Sequence, residues 1–256
     1  MTPSGLIDTG PIWREGRGGK AVLLFHGLAG TPFELFGLTD HLARKGLSVY
    51  APVLSHHLSR SLQDLAGSSL PGWKHDAEEA YARIRGSEKV IVGGISNGAS
   101  LASYLALKLK VHGLIAICPP IFPAGALFGL RNQEIILRWL SRRFAYLPRF
   151  DFRMVRDWTL ARELPRFRKL PSHFPYHAVL LAREIRENLA RIGCPLLVIQ
   201  ARYDNRVNPK GARYFYENAG SSVKRFFWAA RSGHVVVLDR DREAVFEEIA
   251  RFTENV

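Results

Sequence analysis

A serine stands between two glycines where an apolar run gives way to a segment of helical character. The run Val90-Ile91-Val92 has the short, β-branched composition of a strand, and Gly94-Ile95-Ser96-Asn97-Gly98 follows it directly. A sharp turn from a strand into a helix leaves no room for side chains two positions before and after its central residue, and glycine provides that room. The pattern predicts that the Ser96 hydroxyl is held out into a crevice as a nucleophile.

A serine hydroxyl is an effective nucleophile only when a base accepts its proton. Among the nine histidines the candidate base is His234, because it follows the last predicted strand. Gly233 allows the loop at this point to turn back toward the strand ends. Asp204 follows the predicted strand Leu196–Ile199 and is the carboxylate there that could orient this base. The alternatives are an ordinary loop histidine and an Asx-turn at Asp204. The chain order of serine, aspartate and histidine favours a catalytic triad.

Acyl transfer also needs hydrogen-bond donors directed at the developing oxyanion. One candidate is the backbone N–H of Asn97, the residue after the serine. The other candidate is the N–H of Leu28, in the glycine-containing loop that follows the first core strand. This loop can equally be a plain strand-to-helix connection, with Thr31 as the cap and Pro32 in the first helical position. The two interpretations are compatible.

Short apolar runs alternate with helical patterns along most of the chain, which predicts an α/β fold with a mostly parallel sheet. The rhythm is interrupted once, because we find no convincing strand between residues 119 and 178. We therefore predict a core formed by residues 1–118 and 179–256, with residues 119–178 inserted over one edge of the sheet. The predicted strands are Ala21–Phe25, Leu47–Ala51, Val90–Val92, Leu114–Ile117, Leu196–Ile199 and Lys224–Trp228.

Four stretches resemble the α/β-hydrolase fold, and more narrowly its bacterial carboxylesterase and monoacylglycerol lipase branch. They are HGLAGTP at 26–32, GISNGA at 94–99, QARYDNRVNP at 200–209 and SGHVVVLD at 232–239. The resemblance implies that Ser96 is the nucleophile and that Asp204 and His234 are its partners. It also implies that Leu28 and Asn97 are the oxyanion donors and that the insertion forms a helical cap over an acyl pocket. Asn97 departs from this branch, which usually has an apolar residue at that position.

The resulting prediction is a serine hydrolase that cleaves short- to medium-chain acyl esters or monoacylglycerols through an acyl-enzyme. A thioesterase or an acyltransferase would use the same residues, because water and other acceptors can attack the same intermediate. A non-catalytic binding module that keeps the fold for its pocket is a further alternative, which the complete triad argues against. A peptidase is disfavoured, since no feature suggests an edge that grips a peptide.

The composition is that of a globular protein with an excess of positive charge. Among 256 residues the formal net charge is +13, and residues 119–177 hold eleven Arg and Lys against four Asp and Glu. This basic segment could contact an anionic membrane surface, or it could simply be a solvated basic face. We find no signature of a nucleic-acid-binding fold and expect no nucleic-acid partner. The oligomeric state is not encoded in any recognisable pattern.

No metal site or dinucleotide fingerprint is recognisable, so we expect no cofactor. His173 and His177 have the spacing of two ligands on a helix, but we expect Pro175 to interrupt that helix, and no glutamate follows His173. We find neither a secretory signal nor an apolar run long enough for a membrane helix. With Cys118 and Cys194 as its two cysteines, the chain is expected to be cytoplasmic with free thiols.

Overall fold

The protein is described by a computed structural model that covers residues 10–57, 61–122, 132–149, 154–157, 159 and 167–256. Within these residues one sheet has seven strands in the order β1-β3-β2-β4-β5-β8-β9. Only β1 is antiparallel to its neighbour, and the other pairs are parallel. These strands are β1 Ile12–Arg14, β2 Lys20–Phe25, β3 Ser48–Ala51, β4 Lys89–Ile95, β5 Gly113–Ile117, β8 Leu196–Ala201 and β9 Lys224–Ala229.

The central strands are buried on both faces, which explains why they lack an alternation of apolar and polar residues. Successive side chains of β2 enter two different apolar clusters: Val22 and Leu24 join one, and Leu23 and Phe25 join the other. Each cluster fills the space between one face of the sheet and its helices. The α/β prediction and all six predicted core strands are therefore confirmed, although β1 was missed because a three-residue strand carries no readable period.

Helices cover both faces of the sheet. Two of them, α1 Phe36–Arg44 and α8 Arg242–Glu254, contribute to the first cluster. The second face holds α2 Leu62–Leu65, α3 Leu70–Ile84, α4 Asn97–Lys108, α6 His173–Glu187 and α7 Pro209–Asn218. No helix among the described residues combines the length and the apolar content that crossing a membrane requires.

The predicted insertion contains both helix and strand. Its helix is α5, Gln133–Arg143. The prediction that it contains no strand was wrong. Strands β6 Tyr146–Pro148 and β7 Lys169–Pro171 pair in an antiparallel ladder. They are only three residues long and each ends in proline, so neither an alternating pattern nor a strand-rich composition marks them. Residues 123–131, 150–153, 158 and 160–166 of the insertion lie outside the described residues, and its division from the core stays a prediction.

Pro175 does not interrupt its helix, contrary to the prediction. It is the third residue of α6, which begins at His173. A proline in the first helical turn is tolerated because the N–H groups there have no intrahelical partner. The two histidines near the start of α6 contact the beginning of α3 and the residues before it: His173 Nε2 lies 2.8 Å from the carbonyl oxygen of Ser68, and His177 Nδ1 accepts the N–H of Leu70.

Candidate active site

Ser96 occupies a strained turn between β4 and α4, which we call the elbow. Its φ and ψ are 56° and −122°, a region that residues with side chains rarely adopt. The strain is held in place by the strand, because the Ser96 N–H donates to the carbonyl oxygen of Ile117 at 2.8 Å. A Cβ atom on Gly94 would lie 2.5 Å from the backbone of Gly98, and one on Gly98 would lie 2.6 Å from the carbonyl oxygen of His26. The prediction that both glycines provide space is confirmed.

Asp204 and His234 form a buried pair at the carboxyl ends of β8 and β9. His234 Nδ1 lies 2.8 Å from Asp204 Oδ2, and the Asp204 side chain is inaccessible to solvent. The other carboxylate oxygen, Oδ1, accepts the N–H groups of Arg206 at 2.8 Å and Val207 at 3.0 Å. The Asx-turn and the histidine contact therefore coexist, with one oxygen assigned to each.

The ionisation of Asp204 follows from these contacts. Burial acts to raise the pKa of this carboxyl, but the charge and hydrogen bond of His234, together with the N–H groups of Val207 and Arg206, lower it below its usual value. Asp204 is therefore a carboxylate at neutral pH. A carboxylate on Nδ1 selects the imidazole tautomer whose Nε2 lone pair is available to accept a proton.

The loop that carries His234 is anchored by Asp239, a fully buried residue. Its carboxylate accepts the N–H of Gly233 at 2.7 Å and the N–H groups of Arg156 and Asp157 at 2.7 and 2.8 Å. Two residues of the predicted insertion, Arg156 and Asp157, thus share an anchor with the histidine loop. The Asp204 loop is also connected to it, because the Tyr203 N–H donates to the carbonyl oxygen of Ser232.

The loop after β2 passes beside Ser96. Gly30 N–H donates to the Gly27 carbonyl oxygen at 3.0 Å, and Ala29 within this turn has a φ of 55°. A Cβ atom on Gly27 would lie 3.8 Å from the Cβ of Ser96, so the loop backbone adjoins the elbow. Leu28 lies in the turn and is half-buried, and Asn97 is the first residue of α4, where N–H groups have no intrahelical acceptor.

In the part of the chain that the structure describes, which includes both residues, the Ser96 hydroxyl makes no hydrogen bond to His234. Such bonds are often long in unliganded enzymes and tighten when substrate binds. The structure joins Asp204 to His234 and brings the loop of Leu28 to Ser96, while the contact between Ser96 and His234 stays a prediction.

His26 precedes the same loop but is unsuited to act as the base. Burial and the neighbouring His57 lower its pKa to about 3, an effect that the carbonyl of Gly27 only partly offsets, so the ring is neutral. Its Nδ1 lies 2.9 Å from that carbonyl oxygen, and its Nε2 accepts the N–H of Leu54 at 3.3 Å. Both nitrogens are used to join two loops.

Sequence reasoning missed two groups in this region. Cys118 directly follows β5 with a φ of 46°, is fully buried, and its Sγ lies within 4.8 Å of a carboxylate oxygen of Asp204. Its position between β4 and β8 in the sheet is the signal that would have found it. Glu34 is the second group; it lies in a short 3₁₀ helix, Pro32–Leu35, and accepts the N–H of Gly27 at 2.9 Å. In the sequence, the only indication of a role for Glu34 was that it follows the glycine-containing loop of Leu28.

Cys118, Asp204 and His234 have ligand atoms within 4.8 Å of one another, a spacing that a metal ion could use. The hydrogen bond between His234 and Asp204 accounts for the proximity of these two residues without an ion. Burial and the nearby Asp204 raise the pKa of the Cys118 thiol well above its usual value, which favours the thiol over the thiolate that metals prefer.

Residues 17–241 match the family model described as "Serine aminopeptidase, S33". The chain belongs to this family. Over 241 residues it is 24% identical to a carboxylesterase of Bacillus subtilis (strain 168), with 93% of this chain and 94% of the relative covered. Over 244 residues it is 26% identical to a thermostable monoacylglycerol lipase of Bacillus sp. (strain H-257), with 94% and 93% covered.

Solved structures agree on the fold of this S33-family chain. A structure from work on LipS and LipT, two metagenome-derived lipolytic enzymes, has a TM-score of 0.86 at 24% identity, with 98% of this chain and 99% of that chain covered. The monoacylglycerol lipase of Paleococcus ferrophilus has a TM-score of 0.81 at 16% identity, with 96% and 98% covered. The α/β-hydrolase prediction, its carboxylesterase and monoacylglycerol lipase branch, and the prediction of an enzyme are confirmed.

Proposed function

We propose that this protein is a carboxylic ester hydrolase that uses Ser96, His234 and Asp204 as a catalytic triad. The observation that carries the proposal is the 2.8 Å contact between His234 Nδ1 and the buried carboxylate of Asp204, at the same end of the sheet as the strained turn of Ser96. A carboxylate on Nδ1 directs the proton-accepting Nε2 of the imidazole outward. The proximity of the Leu28 loop to Ser96 adds the second element that acyl transfer needs.

In the proposed reaction His234 Nε2 accepts the Ser96 proton while Oγ attacks the ester carbonyl. The tetrahedral intermediate places its negative oxygen against the N–H groups of Leu28 and Asn97, at the start of α4, where the helix dipole also favours negative charge. The imidazolium then gives its proton to the leaving alcohol, which breaks the C–O bond and leaves an acyl-serine. A water molecule repeats the sequence and releases the acid.

The substrate class that we propose is an acyl ester of short to medium chain or a monoacylglycerol. The support is the pair of bacterial relatives, a carboxylesterase and a monoacylglycerol lipase, each matched over more than nine-tenths of both chains. Thioester hydrolysis, acyl transfer to an alcohol and peptide hydrolysis would pass through the same acyl-enzyme. Products distinguish these reactions, because each acceptor or leaving group leaves a different molecule.

The test is a panel of nitrophenyl esters, monoacylglycerols, acyl thioesters and aminoacyl anilides, assayed with the intact protein and with Ser96→Ala. We expect ester turnover by the wild type and a loss of kcat of at least about 10⁴-fold in the variant. A fluorophosphonate should label the wild type at Ser96 and leave the folded variant unlabelled. Equal turnover by Ser96→Ala, or a preference for anilides over all esters, would reject the proposal.

We also infer that α5 contacts an anionic lipid surface. One face of this helix carries Ile135, Arg138, Trp139 and Arg142, at the spacing i, i+3, i+4, i+7. Ile135 and Trp139 are 68% and 59% exposed, while Leu137 on the opposite side is buried. Exposed apolar and aromatic side chains interleaved with arginine are typical of helices that lie in the headgroup region of a membrane. An esterase of lipids would find its substrate at such a surface.

Co-sedimentation with vesicles tests this contact. We expect binding to phosphatidylcholine vesicles that contain phosphatidylglycerol and little binding to pure phosphatidylcholine. The double variant Ile135→Ser/Trp139→Ser should lose most of the binding. Trp228→Ser is the matched control, because Trp228 is an exposed tryptophan on β9, outside the insertion. Equal binding to both vesicle types, or full binding by the double variant, would contradict the inference.

A further inference from the structure

Glu34 is a buried carboxyl group beside the proposed active site, and the reaction described above does not use it. The residue is 6% exposed and lies in the short helix that follows the Leu28 loop. Buried glutamates are uncommon in proteins unless they are paired or hydrogen-bonded, since burial disfavours the charged form. The position of this group therefore calls for a physical explanation.

The loop Gly27–Gly30 is folded around the Glu34 carboxyl group. Gly27 N–H donates to Oε2 at 2.9 Å. A Cβ atom on Gly30 would lie 2.7 Å from Cδ of Glu34, so the carboxyl group packs directly against the Gly30 backbone. Only glycine at position 30 leaves this space open.

The same group is close to the elbow. The Cβ position of Gly27 lies 3.3 Å from Glu34 Oε2 on one side and 3.8 Å from Ser96 Cβ on the other. Gly27 thus lies next to both the carboxyl group and the proposed nucleophile. A shift of its backbone would change the distance between the loop and the reacting carbonyl.

Two titratable groups from other elements act electrostatically on Glu34. Burial raises its pKa above the usual value, and the N–H of Gly27, His234 after β9 and Arg149 after β6 act in the opposite direction. His26, which precedes the loop, is neutral for the reason given above. In either ionisation state a carbonyl-type oxygen of Glu34 can accept the N–H of Gly27.

We propose that Glu34 is a positioning residue that holds the Gly27–Gly30 loop through the Gly27 N–H and so aims the N–H of Leu28 at the oxyanion. The inference rests on the proposed function. A loop with two glycines has little intrinsic stiffness, because glycine populates many backbone conformations. The acceptor supplied by Glu34 removes this freedom at Gly27. The Glu34 carboxyl group thereby fixes the turn that contains Leu28. The third residue of this turn, Ala29, adopts a positive φ.

The test compares Glu34→Ala, Glu34→Gln and Gly30→Ala with the wild type. Glu34→Ala removes the acceptor, and we expect kcat to fall about 10- to 100-fold with KM changed less than about threefold, since removing one oxyanion donor outright costs about 10²–10³. Glu34→Gln keeps an amide oxygen for the Gly27 N–H and should stay within about threefold of wild-type kcat. Gly30→Ala displaces the carboxyl group without altering it and should behave like Glu34→Ala.

Two further measurements distinguish a positioning role of Glu34 from a contribution to folding stability alone. Glu248→Ala is the matched control, because Glu248 is also a 6% exposed glutamate but pairs with Arg225 on β9 and with Arg251 on its own helix, α8. It should lower the melting temperature while kcat is kept. Affinity for a trifluoromethyl ketone, whose adduct carries the oxyanion, should fall in Glu34→Ala in proportion to kcat and be unchanged in Glu248→Ala.

The outcomes that overturn the proposal are specific. Wild-type kcat in Glu34→Ala and Gly30→Ala, or equal losses in Glu34→Gln and Glu34→Ala, would each reject it. If Glu34→Ala does not fold, Gly30→Ala and Glu34→Gln decide by the same criteria. The assay of Ser96→Ala is independent of these variants, so failure of the positioning role and failure of the esterase proposal give different results.

Discussion

His234 Nδ1 and Asp204 Oδ2 lie 2.8 Å apart, although 30 residues and strand β9 separate them along the chain. Parallel strands bring this contact about, because the carboxyl ends of β8 and β9 fall on the same edge of the sheet. The loop after each strand needs only a few residues to bring its functional side chain over that edge. The position of this pair is therefore determined by the order and direction of the strands. A substitution that removes the contact should change the rate of catalysis more than the stability of the fold.

Asp204→Asn should reduce kcat by about 10⁴-fold, because an amide can stabilise the wrong imidazole tautomer and cannot stabilise the imidazolium. Ester hydrolysis measured with saturating nitrophenyl acetate or butyrate gives the change. Asp40→Asn is the control, since Asp40 on α1 is a partly exposed carboxylate that pairs with Arg14 on β1. A variant that retains a tenth of wild-type kcat would exclude Asp204 from the triad.

Gly98→Ala should unfold the protein or destabilise it by more than about 3 kcal/mol, because its Cβ atom would overlap the carbonyl oxygens of Phe25 and His26. Backbone atoms of the central strand cannot move aside cheaply. Gly86→Ala is the matched control, since a Cβ atom there would meet no heavy atom within 4 Å. Urea unfolding of both variants gives the comparison, and equal midpoints would refute the steric explanation of the elbow.

Asp239→Asn should destabilise the protein by about 3 kcal/mol and also lower kcat. The carboxylate accepts four N–H groups, from Gly233, Arg156, Asp157 and Arg240, and an amide can accept at only one of its two atoms. Loss of the Gly233 bond would loosen the loop of the proposed base. Asp157→Asn serves as the control, because the side chain of Asp157 is outside this network. Unchanged kcat in a measurably destabilised variant would limit Asp239 to a role in folding.

Stability should fall as the pH drops below about 6.5, in part because of His26. Its pKa is about 3 in the folded protein and about 6.5 when exposed, so between these values the unfolded chain binds a proton that the folded chain does not. This histidine causes no loss above pH 6.5, and its destabilising effect is complete below pH 3.

The pH dependence of His26→Asn isolates this contribution. The slope of the unfolding free energy against pH should be smaller than in the wild type by up to about 1.4 kcal/mol per pH unit between pH 6 and 4. His75→Asn, on the exposed side of α3, is the control for the same substitution at an exposed histidine. Identical slopes in wild type and His26→Asn would mean that the buried ring is protonated.

Cys118 should react with Ellman's reagent only after unfolding. The thiol is fully buried, and burial with the nearby Asp204 holds its pKa well above the usual value, so the reactive thiolate is scarce. Cys194 is half-buried, and burial raises its pKa to about 11. We expect slow reaction at Cys194 in the native protein and two thiols per chain in guanidinium. Rapid native labelling of Cys118, detected by peptide mass spectrometry, would contradict this structure.

Two kinds of prediction could be made from the sequence alone. The Ser96 turn with its flanking glycines, and the strand that precedes each motif, are encoded in residues a few positions apart. Their local conformation can therefore be predicted without knowledge of the fold. The assignment of Asp204 and His234 needed chain order as well, because an aspartate and a histidine in loops have many ordinary roles. The three-residue strands β1, β6 and β7 escaped prediction because they are too short to show a period.

Local residue patterns were enough to predict the fold class, the strained turn of Ser96 and the candidate positions of its partners, since these depend on local periodicity and on the steric needs of a single turn. Tertiary contacts bring Asp204 to His234, place Cys118 near both of them, join Asp239 to Gly233 as well as to Arg156 and Asp157, and bring the Glu34 carboxyl group to the N–H of Gly27. These contacts join elements far apart in the chain. Their existence depends on strand order, burial and the path of each loop, none of which is written in any short run of residues.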